Sequence, residues 1–399
     1  MVIIILLTCL FLMIMYHCVV YYGRSGRLIN QIPGCIHLPI PGKGLRICWY
    51  SPGAKWHKRR KILTPAFHFS ILKEFVKTLI EEGNRAVKSF NPAEESIIED
   101  VMLFTSHHML NAICETSMGI SLNDSDQSQQ YRQTIHHMGK LVVNRFFKPW
   151  LFIDTIFNLT SQSTTQSKYL NILHSFTEKV NQIRNTFRSV EINNIGIIFF
   201  FVFVDGHDTV ATSLCFSLLL LAEHKDIQDR VRNEINEVMQ ENNGKLTMNA
   251  LQNLPYLERC LKESLRLYPS VTFISRLCTT DLKLQSYIIP KDTTMHLFIY
   301  CLHHDPNFWP DPEVFDPDRF LPENIQKRHP YSYVPFSAGL RNCIGQRFAM
   351  LELKAMIASL VYNFYLEPVD YLKDVSFKLD IVLRTSRPIR MKVIPIKRE

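Results

Sequence analysis

Apolar residues collect in two long runs, and the first of them predicts a membrane anchor. Val2 to Tyr22 contains no Asp, Glu, Lys or Arg, and a run of this length can span a bilayer as a helix. Arg24 and Arg27 follow at once, which favours the cytosol for the chain that comes after them. The run lacks the shorter core and small-residue cleavage site of a signal peptide. We therefore expect an uncleaved transmembrane helix over residues 1–22.

The second apolar run, from Asn194 to His224, predicts a helix through a protein core. Asp205, His207 and Asp208 lie near its centre, and a central Asp costs roughly 2.5–3.5 kcal/mol in lipid. Two such residues argue against a second membrane span. Beside Asp208, the hydroxyl of Thr209 can bond the carbonyl four residues back and open the helix next to a ligand. A kinked or capped core helix is the plainer alternative, but it has no need of an acid and an alcohol at adjacent positions.

Helical spacing of apolar residues also dominates the rest of the chain. Amphipathic patches run from Ile71 to about Arg188, a helix is predicted from Leu254 to Pro269, and another begins at Gln346. The stretch over 23–55 is basic and rich in proline, and it separates the first apolar run from the helical part of the chain. Residues 56–399 are then expected to form one mainly α domain.

Composition sets limits on the class of protein. The chain has 399 residues, of which 46% are hydrophobic and 21% charged, and this suits one large domain with a sizeable core. The ten cysteines contain no C-x-x-C pair, which argues against a zinc ribbon or a thioredoxin site, and their scatter suits a reducing compartment. The net charge of +8 is compatible with nucleic acid, anionic lipid or an acidic protein partner, and composition does not choose among them.

One loop, over residues 335–345, carries the strongest chemical signal. It places Cys343 just before the predicted helix at its end, where unpaired N–H groups and the helix dipole stabilise a thiolate. Gly339 and Gly345 remove side chains on either side, as they would if a flat, bulky group lay against the backbone. Arg341 could pair with an anionic edge of that group. A buried cysteine acting as a small hydrophobe is the alternative.

The full string F-x-x-G-x-R-x-C-x-G in this loop resembles the haem-thiolate signature of the cytochrome P-450 superfamily. The resemblance implies a mainly α fold, a helical haem-thiolate domain with small β-sheets. It also implies haem b as the cofactor, with Cys343 as the axial ligand to iron and Phe336, Gly339, Arg341 and Gly345 around it. The longer run S-A-G-x-R-N-C-I-G-Q-R-F-A looks most like the family 4 branch of insect type, the relatives of fatty-acid ω-hydroxylases.

A basic segment over 55–61 has two readings. Trp56 and Arg60 stand four residues apart, on one helical face, and in the family this W-x-x-x-R pair bonds the haem propionates. Arg276 matches another position that bonds a propionate in relatives. The plainer reading is a basic cluster for nuclear import or nucleic acid. Beside the cysteine motif we expect a haem-binding helix instead, with the remaining cations forming a docking face for an acidic electron donor.

The same resemblance gives the polar centre of the second apolar run a role. Asp208 and Thr209 match the acid–alcohol pair that delivers protons during oxygen activation in the family. Asp205 stands where family 4 members commonly carry a Glu that can link covalently to the haem. Because Asp is one methylene shorter, we expect no ester to form there.

Glu263 and Arg266, spaced i, i+3, resemble the E-x-x-R motif of the family. With Arg319 they are expected to form a structural ion network behind the haem. On a surface such a pair would mean little, since it is worth only a few tenths of a kcal/mol. His303 and His304 suggest metal ligands, but they lie in a turn-rich connector, so we expect solvated loop histidines.

These features together predict a membrane-anchored haem-thiolate monooxygenase. It would use O2 and two electrons from an NADPH-dependent reductase, the NADPH-cytochrome reductase of the endoplasmic reticulum membrane, with the catalytic domain facing the cytosol. Fatty acids or other lipophilic molecules are the implied substrates, and nucleic acid is not an expected partner.

Several departures from the family keep alternatives open. Leu340 stands where the family 4 branch usually has proline. The proline-rich stretch over 23–55 resembles the hinge that follows the anchor in microsomal members of the family. Only 42–55 separates this hinge from Trp56, where relatives place their first helices, a small sheet and a loop that contacts substrate. Likewise, 185–204 replaces a longer helical segment of relatives. The composition of 191–204 also suggests a misjoined or read-through exon. An inactive haem-binding splice form or pseudogene product is therefore the first alternative, and a membrane-anchored basic protein without haem is the second.

Overall fold

The structure is a computed structural model, and it describes part of the chain. The described backbone comprises residues 53–91, 94–119, 126–152, 154–184, 192–378 and 382–397, together with Phe11 and Met15. Apart from those two residues, the predicted anchor over 1–22 lies outside this part, as does the predicted hinge before residue 53. Among the helices in the ranges given above, none has the length and apolarity needed to cross a membrane.

The described residues divide into two compact units. The smaller unit consists of 144–163 and 273–297, and the larger unit consists of the other described residues from 53 onward.

Helices make up most of the described chain, as the sequence predicts. In chain order they are α1 (Gly53–Leu63), α2 (Phe69–Lys88), α3 (Val101–Met118), α4 (Asp126–Phe147), α5 (Asp154–Asn158), α6 (Ser161–Arg184), α7 (Ile192–Glu223), α8 (Lys225–Glu241), α9 (Met248–Gln252), α10 (Pro255–Leu267), α11 (Ile299–His303), α12 (Pro322–Ile325) and α13 (Gln346–Asn363). The bounds of α10 and the start of α13 confirm the helices predicted there.

The strands are short and form small sheets. They are β1 (Ser96–Ile98), β2 (Phe273–Leu277), β3 (Leu282–Leu284), β4 (Tyr287–Ile289), β5 (Thr294–Phe298), β6 (Phe364–Pro368), β7 (Phe377–Lys378), β8 (Arg384–Thr385) and β9 (Met391–Pro395). In the larger unit, β9 lies between β1 and β6 and pairs antiparallel with both, and β7 pairs with β8. In the smaller unit, β2 pairs with β5 and β3 with β4.

The core of the larger unit is built on α7 and α13. Every residue of α7 from Val210 to Ala222 is buried, which explains why this segment carries no charged side chain and is mainly apolar. The second apolar run is therefore a core helix, as predicted. Helix α3 packs against α7, and α2 packs against α13. Since α13 follows directly on the cysteine loop, the core fixes where that loop ends.

A carboxylate from a neighbouring helix fixes the beginning of α10. Pro255 opens the helix, where its missing N–H costs nothing. The carboxylate of Glu234 on α8 accepts hydrogen bonds from the N–H groups of Tyr256 (2.6 Å) and Leu257 (2.9 Å). It thereby satisfies donors that a helix start leaves without partners. Glu263 and Arg266 lie further along this anchored helix.

In the smaller unit, Arg145 organises the chain between α4 and α5. Its Nε donates to the carbonyl of Leu151 at 2.9 Å, and its Nη2 pairs with Asp154 at 2.7 Å. The guanidinium carbon lies 3.9 Å from the ring centroid of Phe157.

Candidate active site

The cysteine loop is folded by three backbone hydrogen bonds. The N–H of Ser337 donates to Val334 (2.9 Å), that of Asn342 to Gly339 (3.1 Å), and that of Cys343 to Phe336 (2.9 Å). Ser337 and Gly339 have φ of 60° and 72°, in the left-handed region where glycine is at ease and serine is strained. The loop therefore has a defined shape that ends with Cys343, three residues before α13 begins.

The thiol of Cys343 is exposed, and space is left open beside it. A Cβ added at Gly345 would lie 3.9 Å from the cysteine sulfur and 3.7 Å from Cε1 of Phe67, so it would occupy the flank of the sulfur. Leu340, where the family resemblance led us to expect proline, is 79% exposed in the middle of a turn. An exposed cysteine sulfur with an open flank fits an iron porphyrin.

Helix α1 brings two further groups to this loop. Arg60 donates from Nη1 to the carbonyl of Asn342 (2.8 Å) and from Nη2 to its Oδ1 (3.0 Å). The guanidinium carbon of Arg341 lies 4.2 Å from the ring centroid of Trp56, in a cation–π contact. The structure thus gathers the predicted Trp56, Arg60 and Arg341 around the residue that precedes Cys343, where two guanidinium groups could hold the carboxylates of a cofactor.

Glu263, Arg266 and Arg319 also come together, in the interior of the larger unit. Glu263 and Arg266 are both fully buried and form a bidentate pair, with Nε–Oε2 at 2.8 Å and Nη2–Oε1 at 2.7 Å. Nε of Arg319 lies 3.3 Å from Oε1 of the same carboxylate, and the N–H of Asp316 donates to it at 3.1 Å. A buried charge pair needs such additional partners, because desolvation otherwise outweighs the Coulomb attraction.

The expectation of solvated histidines at 303 and 304 is wrong. His303 has no exposed surface, and its Nε2 accepts a hydrogen bond from the N–H of Val334 at 2.9 Å. The ring of His304 stacks on Tyr300, with centroids 4.2 Å apart, and is half-buried. Turn residues around them suggested a solvated connector, but the connector is packed inward by Trp309, which is fully buried.

Asp208 on α7 is held by a cation that the sequence analysis did not identify. Nη2 of Arg384, on β8, lies 2.6 Å from each carboxylate oxygen of Asp208. The two side chains are only 15% and 14% exposed, so solvent screens the pair little. Arg384 stands 176 positions further along the chain, and no local pattern links it to Asp208.

Thr209 is the first member of a row of hydroxyl residues spaced by four along α7. Its carbonyl accepts from Ser213 Oγ (3.0 Å) and from Ser270 Oγ (2.7 Å), and those two hydroxyls are 2.7 Å apart. Ser217 repeats the pattern, donating to the carbonyl of Ser213 at 2.7 Å and to Ser264 Oγ at 2.9 Å. The i, i+4 spacing was visible in the sequence, whereas Ser270 could be found only from the fold.

The remaining polar residue of this segment, His207, serves helix packing. It is buried, and its Nε2 lies 2.9 Å from Oγ and 3.0 Å from the carbonyl oxygen of Ser106 on α3. A Cβ added at Gly206 of α7 would lie 3.5 Å from Cδ1 of Ile113, which is also on α3. Part of the polar interruption in the apolar run is therefore a contact between α7 and α3.

The predicted roles of Arg276 and Asp205 beside the haem stay predictions. Arg276 lies on β2 in the smaller unit and donates to the carbonyl of Ser275 at 2.9 Å. Asp205 belongs to α7, but its side chain lies outside the described part of the structure. The expectation that it forms no ester with the haem stays a prediction.

A helical fold with an exposed cysteine before a core helix, cations beside that cysteine and a buried Glu–Arg pair is characteristic of the haem-thiolate monooxygenase class. The sequence profile of the cytochrome P450 family matches residues 37–194 and 184–393. The chain belongs to this family, and its cofactor is haem b.

Curated relatives of family 4 are similar over most of the chain. Probable cytochrome P450 4ac1 of Drosophila melanogaster is 36% identical over 389 residues, covering 89% of this chain and 75% of its own. Cytochrome P450 4c21 of Blattella germanica is 35% identical, covering 86% and 75%. Cytochrome P450 4V2 of Homo sapiens is 33% identical, covering 86% and 72%.

A solved structure shares the fold. The crystal structure of a mutant cytochrome P450DA heme domain superposes with a TM-score of 0.77, covering 89% of this chain and 81% of that one, at 20% identity.

Proposed function

We propose that this protein hydroxylates fatty acids or similar aliphatic chains with O2 and electrons from an NADPH-dependent flavoprotein reductase. The observation that carries the proposal is the exposed thiol of Cys343, held by a defined loop at the start of a core helix. Similarity to family 4 relatives, insect and human, supports the aliphatic substrate class.

The residues of the chain divide the work. Cys343 would hold the haem iron as a thiolate, while Arg60, Arg341 and Trp56 would bind the carboxylates of the cofactor. When bound, the haem activates dioxygen for insertion into a C–H bond. Asp208 and Thr209 would hold and move protons on the α7 side, with Arg384 keeping the Asp208 carboxylate in place.

The direct test is the carbon monoxide difference spectrum of the reduced, purified protein. We expect the thiolate-ligated signal in the native chain and its loss in Cys343→Ser. Cys301→Ser is the matched control, since Cys301 is also exposed and lies outside the loop. A colourless native protein, or a Cys343→Ser variant with an unchanged spectrum, would refute the assignment of the ligand.

Turnover then separates activity from haem binding. With the reductase, NADPH and a set of fatty acids, we expect an oxidised product whose formation requires all three. Haem incorporation without any product would favour the second candidate, an inactive haem-binding form.

One observation supports that second candidate. The family profile matches the chain in two segments that overlap at 184–194, next to the apolar stretch that departs from relatives. A misjoined exon at 191–204 would produce this break. Sequencing the transcript across the junction tests it, and an uninterrupted message encoding these 399 residues would remove the argument.

The apolar run over 2–22 supports a place in the endoplasmic reticulum membrane, with the rest of the chain in the cytosol. We expect the full chain to stay with membranes after an alkaline wash and a chain without 1–22 to be released. Protection of the remaining chain from protease in intact microsomes would contradict the proposed orientation.

A further inference from the structure

His303 connects the buried charge cluster to the cysteine loop. On one side, its backbone carbonyl accepts from Nη1 of Arg266 at 3.0 Å. On the other, its Nε2 accepts from the N–H of Val334 at 2.9 Å. The carbonyl of Val334 in turn accepts from Ser337, the first turn of the loop that ends at Cys343. One imidazole therefore holds the backbone at the point from which the loop departs.

The position of the ring is fixed by aromatic neighbours. It stacks on Tyr333, with centroids 5.3 Å apart and planes 23° apart, and meets Trp309 edge-on at 6.5 Å. The hydroxyl of Tyr333 donates to the carbonyl of Lys262 at 2.9 Å, which fixes the stacking partner as well. A ring confined in this way presents its Nε2 in one direction only.

The hydrogen bond requires a neutral ring. Nε2 can accept from Val334 only if the proton is on Nδ1. Burial, together with the nearby charges of Arg266 and His304, lowers the pKa of His303 to about 3. Hydrogen bonding to the backbone of Arg266 and Leu265 raises this pKa, but by less than the other effects lower it. The acceptor is therefore present throughout the pH range in which an enzyme works.

We propose that His303 is a positioning residue for the haem ligand: its Nε2 fixes the backbone of Val334 and thereby the geometry in which the loop presents Cys343. The inference rests on the proposed haem-thiolate function. Nothing in the proposal requires His303 to touch the cofactor or the substrate.

Two substitutions separate this role from simple packing. His303→Phe keeps a ring to stack on Tyr333 and removes the acceptor, whereas His303→Gln loses the ring and can place an amide oxygen near the position of Nε2. A packing role predicts that Phe is tolerated better than Gln, and the positioning role predicts the reverse. His304→Phe is the matched control. It makes the same substitution at the adjacent position, where the ring and the Nδ1 contact Tyr300 and not Val334.

The first measurement is amide hydrogen exchange over the segment from Val334 to Cys343 in the full chain. Loss of one hydrogen bond should speed exchange of the Val334 amide in His303→Phe by about tenfold. Exchange in His303→Gln and His304→Phe should stay close to that of the native chain. This readout does not depend on haem, so it decides the proposal even if the proposed function fails.

The second measurement is the thiolate-ligated fraction in the reduced carbon monoxide spectrum, with haem content measured separately. We expect His303→Phe to retain haem but lose at least half of the thiolate-ligated signal, with most of it kept in His303→Gln. Native-like exchange and spectrum in His303→Phe, or equal damage in the Phe and Gln variants, would overturn the proposal. If His303→Phe does not fold, His303→Leu repeats the test, since Leu also lacks an acceptor.

Discussion

At the scale of single residues, the site depends on polar groups that are held by partners far away in the chain. Asp208 is held by Arg384, and the Val334 amide by His303, each across many residues of sequence. Removing one partner of a buried pair leaves the other desolvated and unmatched, which costs more than the pair itself contributes.

The pair of Asp208 and Arg384 should be energetically coupled. Asp208→Asn, Arg384→Gln and the double variant form a cycle, and we expect a coupling of about 1–3 kcal/mol in urea unfolding, because both side chains are mostly buried. In an active enzyme, Arg384→Gln should also yield less product per NADPH consumed.

Arg387→Gln is the control for this cycle. Arg387 pairs with Asp370 at 3.4 Å but is 49% exposed, so its loss should cost less than about 1 kcal/mol. Additive single effects at Asp208 and Arg384 would show that their contact does not stabilise the fold.

His303 should make stability depend on pH. Its folded pKa of about 3 lies below the ordinary value of roughly 6.5, so the unfolded chain binds the extra proton. The contribution of the neutral His303 ring to the free energy of unfolding is complete above pH ~6.5. It is lost as the pH falls toward 3, by up to about 1.4 kcal/mol per pH unit. We expect His303→Phe to reduce the slope of the unfolding free energy between pH ~6.5 and ~4.5.

Below pH ~4.5, the titration of Glu258 would add to the pH dependence that His303 causes, so the comparison stops there. Pairing with Lys262 and Lys354 outweighs burial and lowers the pKa of Glu258 to about 2, so its contribution is lost only in more acid solution. An unchanged slope in His303→Phe would mean that the imidazole is not held neutral.

At the scale of elements, the crossing of α2 and α13 is close because of one glycine. A Cβ at Gly83 would lie 2.5 Å from Oγ and 3.0 Å from Cβ of Ser359, and 3.2 Å from the carbonyl of Ala355. We expect Gly83→Ala to destabilise the protein by about 1–3 kcal/mol in thermal or urea unfolding, despite the better helix propensity of alanine.

Gly139 on α4 provides the matched control. It is also helical, but a Cβ there would meet nothing within 4 Å. Gly139→Ala should therefore stabilise the protein by about 0.5–1 kcal/mol. Equal effects of the two substitutions would mean that the helices separate without cost.

Helices were predictable from the sequence where an apolar pattern is continuous, as in α7, α10 and α13. The cysteine loop was predictable because its glycines and its helix start are local. Arg384, Ser270 and the buried state of His303 were not predictable, since each depends on tertiary neighbours with no fixed spacing. Arg276 shows a further limit, because a motif position alone does not give the surroundings of a side chain.

At the scale of the whole molecule, the net charge of +8 predicts how an electron donor would bind. If the donor presents an acidic surface, its affinity should fall as ionic strength rises. Lys58 and Lys61 are exposed on α1, the helix that also carries Trp56 and Arg60.

Charge reversal at Lys58 and Lys61 tests this interaction. We expect the double variant to raise the KM for the reductase by roughly threefold or more and to weaken its salt dependence. Lys140→Glu, at an exposed position of α4, is the control and should change the KM little. Identical KM values for the native and double-variant proteins would exclude this face as the docking surface.

The strand order of the β1–β9–β6 sheet has a consequence for synthesis in the cell. Residues 391–395 form its central strand, while its flanking strands come from 96–98 and 364–368. β1 and β6 each pair with β9, so neither can form this pairing until residues 391–395 have been synthesised. β1 therefore lacks its partner strand while nearly three hundred further residues are translated. The sheet can therefore close only after residues 391–395 have left the ribosome, and until then the unpaired edge of β1 is a site at which the nascent chain could aggregate.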